Sequence, residues 1–154
     1  MKTIAATLCY VRSAGKTLMM HRNKKPGDVH RGKWNGLGGK LDAGESPEEC
    51  VVRELREESG LTILEPRLRG VLTFPAFKPG EDWLVFLYTA TKFKGAVGVC
   101  AEGDLEWIPD EKIAELELWE GDRIFLPWLK NDGFFSGKFI YVDGRLVSHE
   151  ASFY

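Results

Sequence analysis

Three glutamates, Glu54, Glu57 and Glu58, lie within five positions of one another. On an α-helix, which turns about 100° per residue, Glu57 and Glu58 lie about 60° and 40° to either side of Glu54. The three carboxylates therefore share one helix face, although like charges at these spacings repel by roughly 0.2–0.5 kcal/mol per pair. A hard divalent cation such as Mg²⁺, which prefers oxygen ligands, would remove that repulsion. The cluster indicates a metal-binding site, and a solvated acidic helix face is the alternative.

The residues around this cluster predict the helix that carries it. Ser46 is suited to the N-cap, Pro47 to the first helical position, and Glu49 completes a capping box with Ser46. Gly60 is suited to the position just beyond the last turn. We therefore expect a helix over residues 47–59. An apolar stripe predicts the side that packs against a core: Val51, Val52 and Leu55.

The length of 154 residues and the net charge of −2 limit the classes of protein. The length predicts a single domain over residues 1–154. The charge predicts no general affinity for a nucleic acid polymer or an anionic membrane. The three cysteines, Cys9, Cys50 and Cys100, are too scattered for a disulfide framework or a cysteine metal site. Because the N-terminus has no secretory pattern and no apolar stretch could span a bilayer, we expect reduced thiols in a cytoplasmic protein.

Alternating and apolar runs predict the remaining elements. Asp143-Gly144 is a hairpin signal, and Pro79-Gly80 marks a turn. A polar loop is expected at 23–33, and the glycine-rich segment 36–39 permits close approach of another group to the backbone. Strands before and after a central helix predict a mixed α/β or α+β sandwich. The expected strands are 3–12, 17–21, 69–77, 83–92, 105–108, 139–142 and 145–148, with further helices at 109–116 and 122–130.

A series of fixed residue types runs through the glycine-rich segment and the predicted helix. In chain order its members are Gly39, Glu45, Arg53-Glu54-Leu55, Glu57-Glu58 and Gly60-Leu61, separated by five, seven, one and one residues. This series resembles the complete Nudix box over residues 39–61. The resemblance implies an α/β/α sandwich with a central mixed β-sheet. It also implies hydrolysis of a nucleoside diphosphate linked to another group.

The resemblance further implies the metal ligands. Glu54, Glu57 and Glu58 would bind Mg²⁺, or Mn²⁺ as a substitute, with help from the carbonyl of Gly38. Such ions polarise phosphoryl oxygens and lower the pKa of bound water. One carboxylate must also act as the general base. Which one it is stays open, because carboxylates that share a metal titrate as a coupled group.

Two further residues complete the implied catalytic set. Arg53 would orient a carboxylate, with Glu45 as the expected partner, through a charge-assisted hydrogen bond. A fourth carboxylate from outside the helix is usual in this family, and Glu102 is the candidate because it lies in the loop before the predicted strand at 105–108. The neighbouring acids Asp104 and Glu106 are alternatives. A solvated loop position for Glu102 is another.

Segments outside the box carry a narrower resemblance, which covers nearly the whole chain. They are Lys33-Trp34-Asn35-Gly36, Trp119-Glu120-Gly121-Asp122 and Phe125-Leu126-Pro127-Trp128. They resemble the MutT/MutX-like branch of the family, which acts on oxidised purine nucleoside triphosphates, notably 8-oxo-dGTP. The resemblance implies a nucleoside triphosphate substrate that is cleaved to a monophosphate and pyrophosphate. Either a monomer or a homodimer is compatible with it.

Five residues are expected to bind this substrate. Asn35 offers a donor and an acceptor to a base edge, and Asp122 can accept from a purine N–H or, if protonated, donate to a carbonyl. Trp119 and Phe74 offer flat surfaces for stacking, and Arg22 can hold the triphosphate. Each has an ordinary alternative. The aromatic residues could be core, Asn35 could bond to the loop backbone, Asp122 could cap a helix, and Arg22 could be a surface cation.

The sequence also departs from the narrower branch. Some members carry two adjacent acids after the tryptophan, whereas Gly121 separates Glu120 from Asp122 here. Recognition that needs neighbouring carboxyls is therefore not implied. A Nudix enzyme for ADP-ribose or another nucleotide derivative is the alternative. A proline about fifteen residues beyond the box often accompanies the ADP-ribose group, and Pro75, fourteen beyond Leu61, lies near that position but not at it. A nucleotide-binding module without activity is disfavoured because all the box glutamates are present.

Overall fold

A computed structural model describes residues 1–154. Strands outnumber helices, and only one helix exceeds two turns. The strands are β1 (Lys2–Ser13), β2 (Lys16–His21), β3 (Trp34–Asn35), β4 (Thr62–Leu64), β5 (Arg67–Lys78), β6 (Glu81–Ala90), β7 (Lys92–Lys94), β8 (Asp104–Pro109), β9 (Phe135–Val142) and β10 (Arg145–Phe153). The helices are α1 (Pro47–Ser59) and α2 (Glu120–Phe125), with 3-10 helices at Asp110–Glu115 and Leu126–Lys130.

Eight of the strands form one mixed sheet. Its order is β10-β9-β5-β6-β1-β2-β3, and β8 also pairs with β2. The pairs β1·β6 and β5·β9 are parallel, whereas the other neighbours are antiparallel. Strands β4 and β7 form a separate ribbon. The central mixed sheet implied by the family resemblance is therefore confirmed.

The central sheet buries residues on both of its faces. One buried cluster contains Phe125 of α2 and Phe139 of β9, and the other contains Leu55 of α1. Alternate residues of β1 supply the two clusters: Ala6 and Tyr10 belong to the first cluster, and Cys9 and Val11 to the second. This alternation is the period-two pattern of a strand that is covered on both sides. Helix α1 is thus anchored on one face and the C-terminal aromatic residues on the other.

Helix α1 begins and ends where the local signals predict. The Ser46 hydroxyl accepts from the Glu49 N–H at 3.1 Å, and the Glu49 carboxylate accepts from the Ser46 N–H at 3.0 Å. Gly60 adopts φ 82°, and its N–H donates to the Arg56 carbonyl. This left-handed backbone conformation is unfavourable for residues other than glycine. Leu55 is fully buried, so the helix has a fixed rotation that determines which glutamates face the site.

Both predicted C-terminal helical segments are present, but only part of the second is α-helical. Residues 110–115 form a 3-10 helix that has no side-chain cap at Pro109 and no fully buried residue. Without a cap or a buried face, little favours the longer α-helical hydrogen bonds. The predicted helix over 122–130 begins at Glu120 instead, and it is α-helical only to Phe125. Pro127 lacks the N–H that an α-helix would need there, so the remainder is a 3-10 helix.

Three short strands were not predicted as separate elements. Strands β3, β4 and β7 are two or three residues long and carry too little alternation to be recognised in the sequence. Strand β3 nevertheless matters, because it pairs Asn35 with Met20 of β2.

The three cysteines are free, as expected. None of the helices combines the length and the apolar character needed to cross a bilayer.

Candidate active site

The glycine-rich segment runs between strand β1 and helix α1. Its backbone is fixed by the Thr7 N–H, which donates to the Gly39 carbonyl at 2.8 Å. A Cβ on Gly38 would overlap the carbonyl oxygen of Thr7, and one on Gly39 would lie 2.6 Å from a carboxylate oxygen of Glu54. Glycine is therefore required at position 38, where the backbone of β1 leaves no room, whereas a side chain at position 39 would displace the carboxylate of Glu54.

Glu58 is the most enclosed carboxylate of the helix. It is 9% exposed, and one of its oxygens accepts from the Gly38 N–H at 2.8 Å. Burial, supplemented by the negative charges of Glu102 and Glu54, raises the pKa of Glu58 to about 8. Burial also raises the pKa of Glu54. Both shifts follow from bringing carboxylates together in a place that water solvates poorly.

Arg53 lies among the acids of the box. Its Nε donates to Glu45 at 2.6 Å, and its Nη1 donates to Glu54 at 2.9 Å and to Glu57 at 3.2 Å. Its Nη2 donates to the carbonyl of Lys40. Hydrogen bonding from the guanidinium lowers the pKa of Glu45 to about 2. The planar fork of the arginine thereby sets the positions of two carboxylates at once.

The structure brings three of the four expected acidic ligands to one cavity. Glu54, Glu58 and Glu102 line it, whereas Glu57 does not. The Glu57 side chain is 59% exposed and is held by Arg53. No group of three or more acidic, histidine or cysteine side chains has the close spacing of a formed metal site. The helical rotation of 100° per residue predicted that Glu57 shares a face with Glu54, but it could not show that Arg53 binds the Glu57 carboxylate outside the cavity.

The alternatives to Glu102 lie outside this cavity. Asp104 accepts from Asn23 at 2.8 Å and pairs with Lys24, and Glu106 is exposed on β8. Glu102 is close enough to Glu58 to raise the pKa of that carboxyl. Of the three acids in this segment, Glu102 is therefore the one that faces the carboxylates of the helix.

The donor chemistry at this end of the cavity fits a hard divalent cation. Every candidate ligand is an oxygen, as Mg²⁺ and Mn²⁺ require. Glu58 and Glu102 approach each other with only the Gly38 N–H and the Arg22 guanidinium, 3.8 Å from Glu102, to offset their charge. None of the hydrogen bonds that hold the glycine-rich segment uses the Gly38 carbonyl, which is therefore available as a ligand.

The same cavity, with a volume of about 780 Å³, contains the residues expected to bind substrate. They are Arg22, Asn35, Phe74, Trp119 and Asp122, and all five line it. The sheet supplies Asn35 from β3 and Phe74 from β5, while the C-terminal segment supplies Trp119 and Asp122. The residues expected to bind phosphate and those expected to bind a base thus line one continuous cavity.

Asp122 is a buried carboxyl with no hydrogen-bond donor from the protein. It lies in the third position of α2, so the N-cap alternative is wrong: the cap residue is Trp119. Asp122 is 8% exposed, and burial raises its pKa to about 7, although Lys33 opposes the shift. A carboxyl of this kind can accept or donate a hydrogen bond near neutral pH. Asn35 likewise bonds to no other side chain, so its amide is available to a ligand.

Trp119 is held on several sides. Its Nε1 donates to His30 Nδ1 at 2.8 Å, and its ring meets Phe77 and Tyr141 edge to face at 5.4 and 5.5 Å. The ammonium of Lys33 lies 5.3 Å from the ring centroid. Trp119 belongs to the buried aromatic cluster and also lines the cavity, so the two interpretations made from the sequence are compatible.

Arg22 is not a free surface cation. Its side chain is 17% exposed, its Nε donates to Asp28 at 2.8 Å, and its Nη1 lies 3.8 Å from Glu102. Phe74 stacks on Phe139 at 5.8 Å. Both residues are fixed by neighbours and still face the cavity, which is the arrangement of a preformed binding site.

Sequence reasoning missed several residues that line the cavity. His30, Lys25 and Asp28 come from a loop recognised only as polar, and Phe77 and Tyr141 come from strands. Strand alternation gives no signal for Phe77, because a residue three positions beyond Phe74 would face the other side of the sheet without the register shift between Phe74 and Lys78. The loop residues carry no signal either, because only the folded chain brings them against Trp119.

Comparison with known proteins agrees with this geometry. The family model described as NUDIX domain matches residues 1–129. The Nudix hydrolase YvcI of Bacillus subtilis is 34% identical over 142 residues, covering 88% of this chain and 85% of the relative. The zebrafish (Danio rerio) oxidized purine nucleoside triphosphate hydrolase is 32% identical over 133 residues, covering 86% and 83%. The chain belongs to the Nudix family.

The fold comparison extends to almost the whole chain. The crystal structure of a mutator MutT protein from Bacillus halodurans superposes with a TM-score of 0.85 and 33% identity, covering 96% of this chain and 97% of that one. A mixed α+β fold with a central mixed sheet and few helices is thus shared with MutT structures. The chain is accordingly a Nudix hydrolase, an enzyme that acts on phosphoric anhydrides.

Proposed function

We propose that this chain is a Mg²⁺-dependent pyrophosphohydrolase of oxidised purine nucleoside triphosphates, with 8-oxo-dGTP as the favoured substrate, and that it removes such nucleotides from the precursor pool of DNA. The products are the nucleoside monophosphate and pyrophosphate. One observation carries the proposal: a single cavity is lined by the box carboxylates and by unpaired base-reading groups, Asn35 and Asp122. Relatives named as oxidized purine nucleoside triphosphate hydrolases support it.

The phosphate end of the cavity is assigned to the carboxylates. Glu54, Glu58 and Glu102 are the proposed metal ligands, joined by the Gly38 carbonyl and by Glu57 once its side chain leaves Arg53. A bound Mg²⁺ polarises phosphoryl oxygens and lowers the pKa of a bound water. Arg53 holds Glu54 in place through the 2.9 Å contact. Its role is positional, because its donors are spent on acids of the protein.

Arg22 is assigned to the triphosphate. It lies beside Glu102 at the cavity, so its charge is near the proposed metal ligands. The chain has a net charge of −2, and a nucleoside triphosphate is strongly anionic. Local cations must therefore offset the repulsion, and a guanidinium gives directional donors to phosphate oxygens. Lys25 lines the same cavity and adds to this positive potential.

The base end is assigned to Asn35, Asp122 and Trp119. An oxidised guanine differs from guanine by a carbonyl at C8 and an N–H at N7, so its edge offers a changed pattern of donors and acceptors. Asn35 presents one donor group and one acceptor, and Asp122 presents either state because burial places its pKa at about 7. Sites that hydrogen-bond a base edge discriminate more sharply than apolar slots. Trp119 and Phe74 supply the flat faces that enclose the ring.

Glu58→Gln tests the metal-dependent part of this proposal. The change keeps the size and the acceptor for the Gly38 N–H but removes the negative charge that Glu58 would carry as a metal ligand, so we expect kcat to fall by a factor of about 10²–10⁴. Nucleotide binding should persist, because the base end is untouched. Glu106→Gln, an exposed glutamate of β8, is the matched control and should retain normal turnover. Near-normal turnover of Glu58→Gln with Mg²⁺ would rule out this role for the helix.

A further inference from the structure

We propose that His30 is a positioning residue for base recognition: its Nδ1 accepts the Trp119 indole N–H and thereby fixes the plane of the ring against which the purine packs. This inference rests on the proposed function to the extent that Trp119 is assigned to the base end of the cavity. It assigns a role to a loop residue that lies outside the Nudix box.

The hydrogen bond has only one chemical direction. An indole N–H can donate but cannot accept, so the His30 Nδ1, 2.8 Å away, must be unprotonated and must accept. The imidazole proton is therefore on Nε2. Burial, reinforced by the charge of Arg22, lowers the pKa of His30 to about 4, which keeps the ring neutral near neutral pH. The acceptor is thus present under the conditions in which the enzyme would work.

His30 is itself held in place, so it can restrain its neighbour. Its backbone N–H donates to one carboxylate oxygen of Asp28 at 3.1 Å, and the other oxygen of Asp28 accepts from Arg22 at 2.8 Å. The imidazole stacks on Phe77, with 6.1 Å between ring centroids. The loop containing Asp28 and His30 is consequently tied to β5 on one side and to Arg22 on the other.

The other neighbours of Trp119 do not restrain it in the same way. Phe77 and Tyr141 meet its ring edge to face, and such contacts tolerate changes of tilt at little cost. The bond to His30 is the only hydrogen bond that the indole makes. The aromatic neighbours allow the Trp119 ring to tilt. The hydrogen bond to His30 at the edge of the ring therefore determines the orientation of the ring plane.

The chain of contacts also reaches the opposite end of the cavity. Arg22 Nη1 lies 3.8 Å from Glu102, Arg22 Nε bonds to Asp28, and Asp28 bonds to the backbone of His30. The loop thus connects a proposed metal ligand with the indole of Trp119. His30 is the last member of this chain and the only one that touches the base end, which makes it the residue to change.

Two substitutions separate positioning from general stability. His30→Asn keeps an acceptor near the position of Nδ1, whereas His30→Leu keeps the bulk and loses the acceptor. We expect His30→Leu to raise KM for the best substrate of the wild-type enzyme by about threefold to tenfold, with kcat changed less than about twofold, as the loss of one neutral hydrogen bond implies. His30→Asn should recover most of the loss. His149→Leu, at an exposed histidine outside the cavity, is the control.

The indole signal of Trp119 in a ¹H–¹⁵N spectrum provides a second readout that needs no substrate. Trp119→Phe identifies the signal by its disappearance. In His30→Leu we expect it to move upfield and to exchange faster with solvent, and in His30→Asn to remain close to the wild-type position. Equal changes in both His30 variants, or an unchanged signal in His30→Leu, would overturn the proposal.

The values of KM test whether the positioning of Trp119 by His30 affects substrate binding. An unaltered KM in His30→Leu, with wild-type activity intact, would also overturn the proposal. Failure of the wild-type enzyme to hydrolyse any oxidised purine triphosphate is a different result: it would refute the proposed function. In that case the indole signal, and KM for whichever nucleotide is cleaved best, still decide whether His30 positions Trp119.

Discussion

Replacing Asp122 by asparagine should make the protein more stable at high pH while impairing its selection among bases. Asp122 is 8% exposed and has no hydrogen-bond donor from the protein. Its pKa is raised from the ordinary value of 3.8 to about 7 by burial, so the folded protein favours its neutral form. Asparagine has nearly the same shape and is neutral at every pH. The substitution therefore removes the cost of ionising a buried acid.

The pH dependence follows from the direction of this shift. Because the folded pKa lies above the unfolded one, the folded state binds the proton more tightly, and the associated stability is lost as the pH rises towards about 7. One pKa unit corresponds to about 1.4 kcal/mol, so the wild-type protein should lose at most about 3 kcal/mol relative to Asp122→Asn between about pH 5 and about pH 8. The charge of the neighbouring Lys33 favours the ionised form, and the pKa of about 7 is the result of burial and this opposing charge together.

Urea unfolding of both proteins at several pH values measures this difference. The wild-type protein carries other groups that titrate in the same range, including His30 and Glu58, but both proteins share them. The difference in unfolding free energy therefore isolates Asp122. Asp132→Asn, at a side chain that is 98% exposed, should show no such pH dependence relative to wild type. A difference between wild type and Asp122→Asn that stays constant from about pH 5 to about pH 8 would refute the desolvation argument.

Two further changes test the contacts that hold the carboxylates of α1 and the glycine-rich segment in place. Arg53→Lys should lower kcat by about tenfold or more without abolishing folding, because a lysine cannot reproduce the forked contacts with Glu45 and Glu54; steady-state kinetics with Mg²⁺ provide the check, and full activity would show that the fork is dispensable. Gly38→Ala should destabilise the fold by about 1–3 kcal/mol because its Cβ overlaps the Thr7 carbonyl. Thermal unfolding measures that loss, and Gly98→Ala, which meets nothing closer than 3.8 Å, is the matched control.

Helix α1 could be predicted because its signals are local. The capping residues Ser46 and Glu49, the stop at Gly60 and the buried side of the helix all depend on spacing along a few turns. The central sheet was predictable in outline for a similar reason, since β1 and β6 show the alternation or apolar run of buried strands. Sequence reasoning therefore located the elements that carry the carboxylates.

The remainder depends on contacts between distant segments. His30 lies 89 positions before Trp119, and no pattern within its loop indicates that the two side chains meet. The helical rotation predicted that Glu57 lies on the same face as Glu54. The position of the Glu57 carboxylate, however, is set by its hydrogen bond from Arg53. The C-terminal helical segments were predicted in place, but their 3-10 character was not, because it depends on a missing cap at Pro109 and on the missing N–H of Pro127.

The substrate preference of the wild-type enzyme with Mg²⁺ tests the central claim most directly. The values of kcat/KM for 8-oxo-dGTP, unmodified dGTP and ADP-ribose would be compared, and the products of the best substrate identified. We expect kcat/KM for 8-oxo-dGTP to exceed that for dGTP by about tenfold or more, as one changed hydrogen-bonding edge allows, with 8-oxo-dGMP and pyrophosphate as products. Preferential cleavage of ADP-ribose, or equal rates for 8-oxo-dGTP and dGTP, would contradict the assignment of Asn35 and Asp122 to an oxidised purine.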